Sequence, residues 1–241
     1  LILDEEKLRS VAAILRDRRE EFLNHNAFPT RLMLGGYDLA RLRPTTGRKR
    51  PPRIALVVAC TQRKRAAPHP ELCLRSLRGT AEERRNEWRR RLSSTGAPTQ
   101  LARDLYIGDH WRAACTAYAH TLKYSSRAEL WVVSAGYGLV RSTRALKAYG
   151  ATFASGSADS VWRGGTDGDR RTELAAWWAA LDHESSVADL LGRDTVVVIA
   201  AGVPYVEALD VEIRSALDRD VSAERLSIIS AGSRPNAASL P

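Results

Sequence analysis

Three apolar stretches of this 241-residue chain each run straight into a short cluster able to hold a ligand. Ile54–Cys60 leads into Thr61-Gln62-Arg63-Lys64. Leu130–Val133 leads into Ser134-Ala135-Gly136-Tyr137-Gly138. Thr195–Ala200 leads to Gly202, with Tyr205 just beyond. Backbone amides, the Thr61 hydroxyl, the Gln62 amide and the Arg63 and Lys64 cations suit a phosphate or a base edge. The glycines of a P-loop are missing there. Cys60 reads as a small packed residue rather than a nucleophile. In the second cluster, small residues let a ligand approach the backbone, and Tyr137 between two glycines is expected to be exposed.

The carboxylates and aromatics between these clusters are the other chemical candidates. Asp104, in Ala102-Arg103-Asp104-Leu105-Tyr106, is the carboxylate expected nearest the strand ends. It would orient a water or stabilise a cationic sugar, although capping a helix or pairing with Arg103 also accounts for it. Tyr106 is placed either to stack on a base or to fill the core. Asp109 reads as a helix N-cap and His110 as a surface histidine. Downstream, Tyr149 and Phe153 are expected to wall a pocket. Asp159 is the second candidate carboxylate, in a Gly/Ser-rich stretch with Trp162 that reads as a mobile loop. Gly202 gives a tight strand-to-helix turn and Pro204 suits the first helical turn. Arg234, past the last strand, is placed to reach a phosphate.

The elements that must position these groups follow from periodicity. Apolar runs at 54–59, 129–133, 195–200 and 226–230 read as strands. Helices are expected over 4–23, 80–92, 109–123, 170–181, 185–191 and 203–217. Thr80 with Glu83 three residues on forms a capping box. Strands alternating with helices imply an α/β fold with a mostly parallel sheet and helices on both faces. Residues 1–53 read as an N-terminal helix followed by an irregular basic arm. Residues 54–241 read as the α/β domain, with 65–102 as a polar, basic, helical insert. Arg84, Arg85, Arg89 and Arg90 on that insert are candidate DNA-phosphate contacts, against the alternative of a solvated helix.

Composition narrows the classes. Lys plus Arg total 37 against 28 Asp plus Glu, a net charge of +9 that favours a nucleic-acid partner. The excess is mostly arginine, which suits bidentate phosphate contacts. No apolar run approaches the roughly 20 residues of a membrane helix. The opening Leu1–Glu6 lacks the order of a signal peptide, so a cytoplasmic location and no membrane association are expected. Cys60, Cys73 and Cys115 have no metal-ligand spacing, so neither a disulfide framework nor a metal site is expected. The absence of Gly-x-Ser-x-Gly, His-Glu-x-x-His and Gly-x-Gly-x-x-Gly argues against a serine hydrolase, a zincin and a dinucleotide dehydrogenase.

Taken in order, Cys60-x-x-Arg63-Lys64, Ala102-x-x-Leu105-Tyr106, Ser134-Ala135-x-Tyr137-Gly138-Leu139-Val140, Tyr149 and Gly202-x-x-Tyr205 resemble a DUF6884-like group of bacterial proteins. The same order is similar to the uracil-DNA-glycosylase-like domain of archaeosine synthase, which has a Cys-Ser-x-x-Lys and a Ser-Pro-x-Gly segment. The resemblance covers residues 54–234, apart from the insert. It implies a three-layer α/β/α fold of the uracil-DNA-glycosylase type and chemistry at an N-glycosidic bond. It extends to the bacteriophage replication inhibition DNA glycosylases, which remove glucosylated hydroxymethylcytosine from phage DNA and leave abasic sites. The Gly-Gln-Asp-Pro-Tyr and His-Pro-Ser loops of familiar uracil-DNA glycosylases are absent, so no catalytic carboxylate carries over by motif.

The expected function is therefore a monofunctional DNA glycosylase of anti-phage defence. It would act without a cofactor on double-stranded DNA bearing a modified base, flipped into the strand-end pocket. Asp104 or Asp159 would serve the sugar cation, and Thr61, Gln62 and Ser134 the leaving base. Lys64 is assigned to phosphate or base contact, because such an enzyme needs no lysine nucleophile. The alternatives are a non-catalytic DNA-binding or nucleotide-sensing module, and a deazaguanine-type base-exchanging transglycosylase.

Overall fold

A computed structural model of the chain describes residues 33–34, 37–38, 51–164, 167–192, 195–217 and 225–230. The helix expected over 4–23 and the candidate Arg234 lie outside the described residues. Within the stretch read as irregular, Met33–Leu34 (β1) and Tyr37–Asp38 (β2) pair antiparallel.

The sheet is built around β3 (Arg53–Ala59), which follows two prolines and offers no polar position from Ile54 onward. A strand of that kind must be covered on both faces. On one side β5 (Ala128–Ser134) runs parallel to it, Ile54 to Ala59 lying against Ala128 to Val133. On the other, β8 (Thr195–Ala200) is also parallel, Arg53 to Val58 lying against Thr195 to Ala200. Parallel β9 (Leu226–Ile229) lies beyond β8, and antiparallel β6 (Gly138–Arg141) closes the edge beyond β5. The order is β6-β5-β3-β8-β9. Helix α3 (Asp109–Tyr124) packs on β3 and β5, and α5 (Val187–Gly192) packs on β8. Helices α4 (Asp167–Ala179) and α6 (Val203–Leu217) pack on one another. The chain is thus α/β, with a mostly parallel five-stranded sheet flanked by helices.

This order reverses direction at β3. The chain leaves β3 for β5 on one side, then returns for β8 on the other. Crevices form outside the carboxyl ends of strands at such a reversal. Cys60 follows β3 there, and Gly202 lies just beyond β8.

Three expectations are corrected. The cluster at 134–140 is a hairpin, not a ligand loop, with Ser134 opposite Gly138 across β5 and β6. Tyr137 is buried, and its hydroxyl is bound to the Lys147 backbone. Gly108, at φ 107°, caps α3 in place of Asp109, which pairs with Arg112 in the first turn.

The insert is likewise part of the core. Leu72, Leu74, Leu77 and Trp88 are fully buried, and the Trp88 indole donates to the Gly136 carbonyl at 2.9 Å. Its helix α1 (Ala81–Ser94) starts with the expected capping box of Thr80 and Glu83. Arg84 on α1 is 4% exposed, pairs with Glu173 of α4 and donates to the Val161 carbonyl. It is a buried ion pair joining the insert to the domain, not a DNA contact. After α1, β4 (Thr99–Leu101) leads into the short helix α2 (Ala102–Leu105) and pairs antiparallel with β7 (Ala145–Lys147).

Gly136 is small for a steric reason: a Cβ there would lie 2.6 Å from the Tyr149 ring. Gly136→Ala is therefore expected to lose about 1–3 kcal/mol in urea unfolding. Gly96, where a Cβ meets nothing within 4 Å, serves as control, and Gly96→Ala should stay within about 0.5 kcal/mol.

Candidate functional site

Backbone bridges draw the separate clusters together at the carboxyl ends of β3, β5 and β8. Residues 63–65 run antiparallel to 105–107, with Arg65 N donating to Leu105 O and Ile107 N to Arg63 O. That ladder sets Lys64 beside Tyr106. Cys73 bridges to Gly150, with Leu74 N donating to Gly150 O and Gly150 N to Leu72 O. Tyr149 is thereby held against the insert. Thr152 bridges to Ser160, and Val161 N donates back to Thr152 O, so the stretch read as a mobile loop is pinned at its base.

These bridges produce a buried hydroxyl chain. Ser134 Oγ accepts from Tyr137 N at 3.0 Å and from Gly136 N at 3.3 Å. With both lone pairs engaged, its own proton goes to Tyr149 Oη at 2.7 Å. Tyr149 Oη meets Tyr106 Oη at 3.0 Å. On the β8 side, Tyr205 Oη lies 3.2 Å from Thr152 Oγ1 and 3.5 Å from Cys60 Sγ. Cys60 and Tyr205 face each other across the point where the strand order reverses. Burial raises the Tyr106, Tyr149 and Tyr205 phenols well above the ordinary tyrosine range, and it raises Tyr137 to about 12. All of these hydroxyls are neutral donors at physiological pH.

Lys64 sits on this floor. Its Nζ lies 4.2 Å from the Tyr149 ring centroid and 5.7 Å from that of Tyr106, a cation over π-faces. It donates to Thr61 O at 3.1 Å and to Gln62 O at 3.4 Å. Among the described residues no carboxylate comes within salt-bridge distance of it. Burial pulls its ammonium below the ordinary lysine range, against the opposing influence of Cys60, Asp159 and Cys73.

The two candidate carboxylates part company. Asp159 reaches the cluster. Its Oδ1 accepts from Arg75 N at 2.9 Å, its Oδ2 pairs with Arg75 Nη1 at 3.3 Å, and its side chain is 17% exposed. A Cβ on Gly150 would fall 2.8 Å from Asp159 Oδ2. The carboxylate thus fills the space that a side chain next to Tyr149 would need. Asp104 is 60% exposed, and its Oδ2 lies 3.7 Å from Arg103 Nε. Its carbonyl accepts from Arg65 Nε at the surface.

The remaining candidates divide between rim and core. Gln62 and Arg63 are exposed, and Thr61 and Gly202 are half-buried. The Thr61 hydroxyl is turned back on the Arg63 carbonyl. Ala135, Gly136 and Phe153 are core: the Trp177 indole donates to Ala135 O, and Phe153 packs edge-on to Tyr205 at 5.2 Å. Phe153 is fully buried rather than walling an open pocket. His110 is half-buried rather than on the surface. Its ring is directed to the Ala59 carbonyl, and its Nε2 is buried without a hydrogen-bond partner. Thr152, Cys73 and Arg75 join the site without any motif to mark them; only the bridges to 150 and 160 reveal them. Among the described residues no cluster of His, Cys, Asp and Glu is arranged to hold a metal, and no helix is long and apolar enough to cross a membrane.

Compared with protein-family models, curated proteins and solved structures, the chain matches none of them.

The buried phenols set an alkaline limit. An unfolded tyrosine releases its proton near pH 10, whereas Tyr106, Tyr149 and Tyr205 keep theirs in the fold. Above pH 10 the unfolded state therefore binds fewer protons, and stability falls as pH rises. Each phenol contributes about 1.4 kcal/mol per pH unit to that fall. Tyr149→Phe should lose about 1–3 kcal/mol at pH 8, because the Ser134 and Tyr106 hydroxyls lose their partner. The same variant should show a shallower decline above pH 10, as measured by denaturant titration across pH.

Proposed function

We propose that this chain hydrolyses the N-glycosidic bond of a modified base in double-stranded DNA and leaves an abasic site. The observation that carries the reading is that Asp159, held by Arg75, lies near enough to Lys64 to act on its charge beside the Tyr149 floor. Opposite charges stand there at the carboxyl ends of a parallel sheet, next to an exposed basic turn. The resemblance to uracil-DNA-glycosylase-like proteins supports the same chemistry and the same fold type. Glucosylated hydroxymethylcytosine of phage DNA is the substrate that the resemblance favours, which gives the protein a role in anti-phage defence.

In this mechanism the duplex binds through arginines and the target nucleotide leaves the stack. Departure of the base leaves an oxocarbenium-like sugar. The Asp159 carboxylate stabilises that cation and orients the attacking water. Arg75, doubly bonded to Asp159, fixes the carboxylate in direction. Gln62, Arg63 and the half-buried Thr61 line the rim where the base is held. Asp104 is too exposed to take that part.

Phosphate contact falls to fewer arginines of α1 than the sequence offers. Arg84 is buried, and Arg90 is held twice by Glu87. Arg85 and Arg89 lie one helical turn apart and, among the described residues, have no ion-pair partner. A binding module with no catalysis is the second reading, favoured by the closed packing of Tyr106, Tyr149 and Ser134, each at most 1% exposed.

The test is incubation with modified and plain duplex DNA followed by hot alkali. Strand breaks confined to modified DNA are expected. Asp159→Asn should lower their rate by at least 100-fold with DNA binding retained, and Asp104→Asn should leave it within about threefold. Binding without breaks in the wild-type protein overturns the enzyme reading in favour of the module. Separately, Arg85→Ala and Arg89→Ala should each weaken DNA binding and reduce the slope of log K against log salt by about one.

A further inference from the structure

We propose that Lys64 is a nucleophilic amine that captures the aldehyde of an abasic deoxyribose, giving the site a lyase step after base removal. The inference rests on reading the site as one that receives a flipped nucleotide, and it departs from the single activity that the sequence implies.

The choice of residue is the first argument. The chain has 32 arginines and five lysines. A lysine standing on the site floor in such a background calls for something an arginine cannot do. A guanidinium stays charged in proteins, whereas an amine sheds its proton when buried and then has a lone pair to give.

Placement is the second. Several cations of this domain are held by acids, as Arg75 is by Asp159, Arg84 by Glu173, Arg90 by Glu87 and Arg170 by Glu207. The contacts of Lys64 are two backbone carbonyls and two aromatic faces. These orient the amine without fixing its proton as a salt bridge does. Its shifted titration, below the ordinary range through burial, fits a role as nucleophile. The titratable groups facing it are Cys60, Cys73 and Asp159 from the neighbouring strand end, insert and loop, and the phenols of Tyr106 and Tyr149 beneath.

The step balances without a redox partner. The Nζ lone pair forms a bond to C1′ of the ring-opened sugar. The aldehyde oxygen leaves as water, taking up two protons, and a protonated imine remains. A base then removes a C2′ proton, the C3′–O3′ bond breaks, and the 3′ phosphate departs with that electron pair. Asp159, on the same floor, is the carboxylate placed to take the C2′ proton. Water hydrolyses the imine and restores the amine.

The experiment supplies abasic DNA ready-made, so that base excision is not required. The full chain is mixed with a duplex carrying one abasic site, and sodium borohydride is added to reduce any imine to a stable amine. A covalent protein–DNA adduct is expected, with peptide mass spectrometry placing it on Lys64. Lys64→Arg, which keeps the charge but cannot form an imine, should lower adduct yield at least 100-fold. No adduct in the wild-type protein, an adduct on another amine, or an undiminished yield in a folded Lys64→Arg overturns the proposal. The excision assay on modified DNA is scored separately. Base release without trapping defeats the lysine step alone, and trapping without base release defeats the glycosylase reading while leaving the lysine step standing.

Discussion

The site depends on where Tyr149 lies. Its ring rests on the backbone of Gly136, where a Cβ would come within 2.6 Å, and its hydroxyl links Ser134 at 2.7 Å to Tyr106 at 3.0 Å. Lys64 stands over the same ring. One side chain therefore joins the end of β5, the segment after α2 and the turn after β3. Gly150, its neighbour, ties it to the insert through Leu72 and Leu74. A buried phenol with unmet hydrogen-bonding groups is costly, so the three hydroxyls fix one another's positions as well as their own. Tryptophans seal the underside, Trp88 on Gly136 O and Trp177 on Ala135 O. The smallness of residues 135–136 is the imprint of this packing, not of a bound molecule.

The same packing changes what the positive charge means. A net charge of +9 and an arginine-rich helix suggest a comb of phosphate contacts. In the fold, guanidinium groups also act as structural donors to chain that lacks regular partners. Arg163 donates to Leu77 O at 3.1 Å and also to Leu74 O, Arg91 bonds Glu71 O and Ser76 Oγ, and Arg144 bonds Asp182 O. An insert without a strand of its own in the main sheet needs such donors to satisfy its carbonyls. Arginine excess in this region is thus partly the chemistry of a long irregular connection, and only the residues left over, such as Arg85 and Arg89, speak for an external polyanion.

Much of the scaffold was legible in the residues. The apolar runs at 54–59 and 195–200 are strands within a residue of their expected ends, and the helix over 203–217 has the expected limits. Those segments are buried on both faces or strictly amphipathic, so local pattern and tertiary demand agree. The capping box at Thr80 and Glu83 was legible because both partners sit three residues apart. The short strands β4, β6 and β7 were not, since three or four residues carry too little periodicity and are defined by their pairing partners. Tyr137 misled for a related reason: glycines flanking an aromatic suggest a loop tip, yet here they allow a tight hairpin that turns the ring inward. Asp109 lost the cap to Gly108 because a left-handed residue was needed at that bend. The clusters that meet at the strand ends were named individually, but Thr152, Cys73 and Arg75 enter through bridges that no local pattern encodes.

The closure of the floor decides how any ligand is recognised. Ser134, Tyr106 and Tyr149 are covered, so they hold the geometry and do not touch a substrate. Contact must come from the layer above: Thr61, Gln62 and Arg63 on the β3 side, Lys64 and Asp159 across the middle, and Gly202 with Val203 on the β8 side. Those segments are turns whose backbones are fixed from below, by the Lys64–Tyr106 ladder on one side and by the Tyr205 hydroxyl on the other. Turns held this way change their exposed side chains without disturbing the core. In the proposed glycosylase, specificity for one base over another belongs to the rim, while Lys64 over the floor and Asp159 on Arg75 supply the charges.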